Sequence, residues 1–231
     1  METSYSSISQ NRKTILVHTS IPLYIYTSKH GVFFLMRIGG LQKFSFIDFP
    51  NKTSAIIFTQ SCNFRCAYCH NPELVYPNKF QVTIPEEQVF SFLESRKNQL
   101  DAVVITGGEP TLQPDLIEFI KKVKAMGFLV KLDSNGSNPQ VLEQIINQKL
   151  VDFIAMDIKA PFDKYDLVCC VPVDIEKIKL SINLIKNSGI DFLFRTTYDK
   201  SKLFDKDIQT MTDFLNVDNH YKVQKCNPVL H

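Results

Sequence analysis

From Ser54 onward, short runs of aliphatic and β-branched residues alternate with stretches of helical period. The runs AIIFT (55–59), AVVIT (102–106), LVKLD (129–133), FIAMD (153–157), FLFRT (192–196) and YKVQ (221–224) predict six strands. A helix is expected after Pro85, with Val89, Phe92 and Leu93 on one face. Another is expected after Pro114, with Leu116, Phe119, Ile120 and Val123 on one face and its end at Gly127. Further helices are expected near 138–148, 174–188 and 206–215. Strand and helix alternating in this way predict parallel strands joined by right-handed crossovers. Six such units make an α/β fold, an open or partial (β/α)6 barrel.

In barrels of parallel strands the chemistry gathers at the carboxyl ends of the strands. Here AIIFT leads into a cysteine-bearing loop, AVVIT into GGEP, LVKLD into SNG, FIAMD into IK, FLFRT into TYDK and YKVQ into KCNP. These polar clusters, far apart in sequence, are expected to converge on one mouth.

The first 35 residues differ from the rest. They carry one acidic residue, and their apolar runs are broken by Pro22, Lys29 and His30, too often to span a membrane. No A-x-A-like cleavage site follows GVFFL, so a signal peptide is not expected. Residues 1–35 read as a floppy or mis-started extension, with Met36 a natural alternative first residue and 36–231 the core domain.

At 231 residues and 44% hydrophobic the chain can bury a full core, and one domain is expected. With 26 basic and 24 acidic residues, the net charge of +2 points neither to nucleic acid nor to an acidic partner. The six cysteines fall as Cys62/Cys66/Cys69, Cys169/Cys170 and Cys226, unlike the even spacing of a secreted disulfide framework. A reducing cytoplasm fits that pattern.

The stretch SCNFRCAYCHNPE places Cys62, Cys66 and Cys69 as C-x3-C-x2-C, with His70 directly after. A cluster this tight and odd in number cannot pair internally without strain. Three thiolates on one loop suit an iron-sulfur cluster, or a zinc ion with His70 as fourth ligand. Zinc fits less well, because Cys69 and His70 are adjacent whereas zinc-ligand pairs usually have residues between them. A cubane with three protein ligands leaves one iron open for chemistry.

The C-x3-C-x2-C loop, with Tyr68 just before the third cysteine, resembles that of the radical S-adenosylmethionine superfamily. The surrounding IGGLQKFSFIDFPNKTSAIIFTQSCNFRCAYCHNPELV resembles the activating enzymes of glycyl-radical enzymes, most of all the anaerobic ribonucleoside-triphosphate reductase activating proteins. The likeness runs from about Arg37 to the C-terminus through TGGEPTLQ, KLDSNGSNP, AMDIKAPFDKYD, FRTT and VQKCNP. It implies the partial barrel of that superfamily. It also implies a [4Fe-4S] cluster on Cys62, Cys66 and Cys69 whose open iron takes the amino and carboxylate groups of S-adenosylmethionine. Reductive cleavage would then yield methionine and a 5′-deoxyadenosyl radical. The implied partners are a glycyl-radical enzyme, with anaerobic ribonucleoside-triphosphate reductase one candidate, and a low-potential electron donor such as flavodoxin or ferredoxin.

The remaining cofactor-binding candidates each carry a plainer alternative. Gly107 and Gly108 would let backbone approach the methionine end, with Glu109 meeting its ammonium; a tight strand-to-helix turn would explain the glycines equally. Asp133 and Asp157 suit an ammonium or ribose hydroxyl and Lys159 a carboxylate, against the commoner fate of a surface charge or helix cap. Arg195 would hold a carboxylate or the ribose, or brace a loop. Tyr68 would pack beside the adenine or fill the core. Ser134 could bond backbone or cofactor, Asn135 and Gly136 shape a turn, and His70 and Asn71 order the cysteine loop or face the partner. Ser61 and Asn51 stand where the resembled family often has glycine, and Cys169, Cys170 and Cys226 read as structural. Two other functions compete with the activase: a radical enzyme acting on a small molecule such as a deazapurine precursor, and a zinc-stabilised interaction module.

Overall fold

The computed structural model describes residues 36–226 in full and, within the first 35, the backbone of three strands. These are β1 (Lys13–Val17), β2 (Leu23–Ser28) and β3 (Gly31–Phe34), an antiparallel sheet in the order β1-β2-β3. The other residues of 1–35, and Asn227 and Pro228 of the KCNP motif, lie outside the described residues. The reading of 1–35 as an extension apart from the core therefore stands as a proposal.

The core begins with β4 (Ile38–Phe49) and β5 (Lys52–Thr59), a hairpin whose turn Asn51 makes at φ 58°, a left-handed value that asparagine tolerates. The elements that follow are α1 (Pro72–Val75), α2 (Glu86–Glu94), β6 (Ala102–Gly107), α3 (Leu116–Ala125), β7 (Leu129–Ser134), α4 (Pro139–Asn147) and β8 (Phe153–Asp157). The chain continues through α5 (Tyr165–Cys169), α6 (Ile175–Lys186), β9 (Asp191–Tyr198), α7 (Asp205–Leu215) and β10 (Tyr221–Lys225). The seven-stranded sheet has the order β10-β9-β8-β7-β6-β5-β4. All six expected strands form, each parallel to the next, and β4 adds an antiparallel edge. β4 and β10 are the two ends of the sheet, so the barrel is open.

Alternation along the strands divides the sheet into two faces. Ala55, Ile57, Val103, Ile105, Val130, Leu132, Ile154 and Met156 point toward the helices and join one large core. The helices meet this face with apolar stripes at helical spacing, Leu116, Phe119, Ile120 and Val123 on α3 among them. Each such side chain stabilises the fold by roughly 1.5–3 kcal/mol on burial. Phe49, Ile56, Ala102 and Val104 lie on the opposite, inner face, where Phe58, Leu129 and Phe153 pack against them. This small apolar plug closes the bottom of the half-barrel. Toward the carboxyl ends of the strands that face turns polar, at Thr106, Lys131, Asp133, Asp157 and Arg195.

Candidate radical site

The register carries the alternation upward from the plug. On β7, Leu129 belongs to the plug, and Lys131 and Asp133 follow on the same face; on β8, Phe153 is followed by Asp157, which pairs with Arg195 of β9. Strand period and in-register pairing thus place Thr106, Lys131, Asp133, Asp157 and Arg195 side by side at the top of the inner face. Asp157 Oδ1 accepts from Arg195 Nε at 3.0 Å and its Oδ2 from Lys159 Nζ at 3.0 Å. Asp133 Oδ2 accepts from Arg195 Nη1 at 3.2 Å and from Thr106 Oγ1 at 3.3 Å, and its Oδ1 from Lys131 Nζ. Burial alone would raise Asp157, yet Arg195 and Lys159 hold it well below the usual carboxylate range. Asp157 in turn raises both Lys159 and Arg195 against the cost of their burial. Asp157, Lys159 and Arg195 thus hold one another in their charged forms.

The cysteine loop closes over this row. The loop starts with a left-handed Ser61, φ 85°, at a position where the resembled family often has glycine. Arg65 then ties the loop together: Nη1 donates to the carbonyls of Cys62 (2.6 Å) and Phe64 (2.8 Å), and its backbone N–H donates to Cys169 O (2.8 Å). Asn135 Nδ2 donates to Asn63 Oδ1 at 2.9 Å, and Asn63 Nδ2 to Ser137 Oγ at 2.9 Å, stitching the loop to the turn after β7. Cys62, Cys66 and Cys69 are free thiols, each half-buried, and all three line one cleft with Asp133, Asp157, Lys159 and Arg195. Burial pushes the Cys62 thiol up to about 12 and raises Cys69. The neighbouring Cys169 thiol, with help from Lys159, draws Cys66 down to about 6.

The three cysteines, Tyr68, Gly107, Gly108, Glu109, Asp133, Asp157, Lys159 and Arg195 all border this cleft, though their roles differ in detail. Glu109 is fully buried, and its carboxylate is committed: Oε1 accepts from Thr111 N (3.1 Å), Thr111 Oγ1 (2.6 Å) and Ser134 Oγ (2.9 Å), and Oε2 from Asn135 N (2.6 Å). Burial raises its pKa, opposed by these donors. Ser134 and Asn135 therefore serve the Glu109 network. A Cβ on Gly107 would lie 2.3 Å from Thr59 N, and one on Gly108 would lie 2.0 Å from Ser61 O. Close packing on the neighbouring strand is enough to require both glycines. Tyr68 is buried, with Lys159 Nζ 6.0 Å from its ring centroid and its hydroxyl toward Cys66 but short of a well-formed hydrogen bond. His70 and Asn71 line the cleft, and Cys170 is exposed. Lys131, Thr106 and Arg65 were not singled out in the sequence; the strand period alone would have put Lys131 beside Asp133.

The donor set fits an iron-sulfur cluster. Among the described residues no three His, Cys, Asp or Glu side chains close around one ion-sized point. A cubane spreads its cysteine sulfurs over separate irons, and three free thiols lining one cleft suit it. No helix among the described residues is long and apolar enough to cross a membrane.

Comparison with known proteins agrees with the geometry. The family model described as "Radical SAM superfamily" matches residues 56–215. A Methanocaldococcus jannaschii protein named provisionally as a glycyl-radical enzyme activating enzyme is 37% identical over 196 residues, 83% of this chain and 80% of that one. The pyruvate formate-lyase-activating enzyme of Listeria monocytogenes is 33% identical over 135 residues, 54% of either chain. A 7-carboxy-7-deazaguanine synthase of Methanopyrus kandleri also matches, over 49% of this chain. The solved structure of anSMEcpe with bound AdoMet superposes with a TM-score of 0.55 at 17% identity, covering 73% of this chain and 49% of that one, a likeness of fold. Members of the matched family use a [4Fe-4S] cluster and S-adenosylmethionine, for which the three thiols and the charged strand ends are suited. The chain belongs to the radical S-adenosylmethionine superfamily.

Proposed function

We propose that this enzyme activates a glycyl-radical enzyme, with anaerobic ribonucleoside-triphosphate reductase the first partner to test. The observation that carries the proposal is the similarity to the glycyl-radical enzyme activating enzyme of M. jannaschii across most of both chains. When bound and reduced, the cluster supplies the electron that cleaves S-adenosylmethionine to methionine and a 5′-deoxyadenosyl radical. Cys62, Cys66 and Cys69, which line the cleft, would hold it. Lys159 and Arg195 offer positive charge to the methionine carboxylate, and Asp133 and Asp157 offer acceptors to the ammonium or a ribose hydroxyl. Tyr68 and Phe64, both buried, form apolar wall beside the cysteines.

So reactive a radical must meet its target in contact and away from water. The gap between β4 and β10 leaves the side of the half-barrel open to a polypeptide loop. Glycine is a suitable target, because no side chain shields its α-carbon and the flanking amides delocalise the resulting radical. The decisive experiment incubates reduced enzyme, S-adenosylmethionine and the reductase bearing α-deuterated glycine. The expected result is 5′-deoxyadenosine carrying deuterium, formed in step with a glycyl radical whose electron paramagnetic resonance signal is a doublet with unlabelled glycine and collapses toward a singlet with the α-deuterated one. Label reaching deoxyadenosine only from a small metabolite, with every glycyl-radical enzyme of the source cell left inactive, would put the small-molecule chemistry in its place.

A further inference from the structure

The cysteine loop is approached from two directions. The cleft described above takes in all three cysteines and the charged strand ends, and S-adenosylmethionine with the partner's loop would fill it. A second cavity, of about 290 Å³, borders Cys66 and Cys69 with Ala67, Tyr76 and Lys79. It shares those two cysteines with the cleft but none of the charged strand ends. Ala67 is exposed and carries only a methyl group, so little covers the loop between Cys66 and Tyr68. The edge of this cavity is positively charged. Lys79 Nζ lies 5.7 Å from the centroid of the Tyr76 ring, and the Arg65 guanidinium lies 5.4 Å from the same ring. Two cations thus flank one aromatic side chain beside two of the cysteines. Among the described residues lining the cavity none is acidic, and Glu73 of the neighbouring α1 is outnumbered by the two cations. Arg65 is tied to the loop carbonyls, whereas Lys79, at the end of the short turn Pro77–Lys79, is exposed.

Reductive cleavage consumes one electron for each S-adenosylmethionine, and that electron has to reach the cluster while the cleft is filled. Electron transfer weakens steeply with distance, so its donor must approach where the ligand cysteines come close to the surface by another route. We propose that this second cavity, with Lys79 at its edge and Arg65 beside Tyr76, docks an acidic flavoprotein of the flavodoxin class that passes its electron to the cluster. The inference rests on the cluster assignment within the proposed function and adds the face at which the electron enters. Opposite charge on the carrier matches the two cations, steering encounter and fixing orientation. A concave mouth suits a flavin, whose ring edge can project from its protein, better than an iron-sulfur carrier, whose cluster is wrapped by its own cysteine loop. In the transfer the anionic reduced flavin gives up one electron and becomes the neutral radical, and the oxidised cluster takes up that electron. No bond forms or breaks and no proton moves.

The test compares anaerobically reconstituted full chain as wild type, Lys79→Glu, Lys79→Gln, Lys79→Arg and Lys97→Glu. Lys97, exposed beyond α2 at the amino ends of the strands, serves as a remote charge reversal. Calorimetry gives the affinity for oxidised flavodoxin, and stopped-flow absorbance gives the rate of cluster reduction by reduced flavodoxin. At low salt Lys79→Glu should bind roughly threefold or more weakly than wild type and be reduced correspondingly slowly, with Lys79→Gln between them. The gap should close between about 0.01 M and about 1 M salt, as the screening length falls from about 30 Å to about 3 Å. Lys79→Arg keeps the charge and should match wild type, as should Lys97→Glu. Dithionite, a small reductant that needs no docking surface, should reduce the cluster alike in every protein. Equal affinity and flavodoxin-driven rate in Lys79→Glu and wild type would overturn the site, and so would an equal loss in Lys97→Glu. A ferredoxin that reduces wild type faster than flavodoxin, with the same sensitivity to Lys79→Glu, would overturn the choice of a flavin carrier. If Lys79→Glu fails to fold, wild-type binding by Lys79→Gln overturns the proposal by itself. Failure of wild type to bind iron, or to be reduced by dithionite, would instead defeat the cluster assignment.

Discussion

Substituting Asp115 with asparagine tests the electrostatics of this fold away from the cleft. Asp115 precedes α3, and its Oδ1 is buried without a hydrogen-bond partner among the described residues. Nearby Glu86 is also buried; it accepts from Met36 N–H at 3.2 Å and pairs with Lys122 at 3.2 Å. Burial first, and then Glu86, push the Asp115 carboxyl from 3.8 up to about 7. The folded protein therefore keeps a proton between about pH 4 and pH 7 that the unfolded chain has released. This contribution to stability is complete below pH 4 and is lost as the pH rises through 7. At 1.36 kcal/mol per pH unit the full effect would be about 4 kcal/mol, and partial solvent access brings it to ~2 kcal/mol. Urea unfolding of metal-free protein in reducing buffer should show wild type losing ~2 kcal/mol more than Asp115→Asn between pH 4 and pH 8. Parallel profiles for the two proteins would refute the raised Asp115 carboxyl.

Three further outcomes are expected. Cys62→Ala, Cys66→Ala and Cys69→Ala should each abolish the brown cluster in anaerobic reconstitution, while Cys226→Ala should keep it; an intact cluster in Cys66→Ala would defeat the ligand set. Asp133→Ala and Lys159→Ala should keep the cluster but bind S-adenosylmethionine roughly ten- to a hundredfold more weakly, since a charge-assisted contact contributes about 1.5–3 kcal/mol. Wild-type affinity in equilibrium dialysis would show that these side chains face elsewhere. Protein begun at Met36 should fold and bind its cluster, and its new ammonium, beside Glu86 and Asp115, should flatten the pH profile described above; an insoluble product would show that residues 1–35 belong to the core.

The six parallel strands were legible because each is a buried run of β-branched and aliphatic residues, a signal that survives without tertiary context. β4 was not, because its middle reads QKFSFIDF and exposes Phe44, Phe46 and Ile47, so neither alternation nor a buried run marks it. α1 and α5, at four and five residues, are too short to show a helical period. At the site, the charged residues at strand ends were visible as a repeated position, and pairing in register brought them together. The partner of each was not visible. Lys131 was not singled out within LVKLD, and Cys169 was read with Cys170 and Cys226 as structural because nothing local links it to a loop 103 residues earlier.

The same distinction explains Glu109. From the sequence it was an acid beside two glycines at a strand end, placed to meet a ligand's ammonium. In the fold it takes four hydrogen bonds, from the turn it caps and from the loop after β7. Asn135, held at its backbone by Glu109, uses its side chain to hold Asn63 in the cysteine loop. A single buried carboxylate thus fixes three loops that approach the cleft from different strands, and replacing it with an apolar residue would leave several donors unpaired at once. Asp133 and Asp157 differ from it in one respect that matters for chemistry: they are only half-buried and are neutralised by side chains at the cleft, Arg195 bridging the two. Those pairs can exchange a partner for a zwitterionic ligand without breaking the frame, because the frame rests on Glu109.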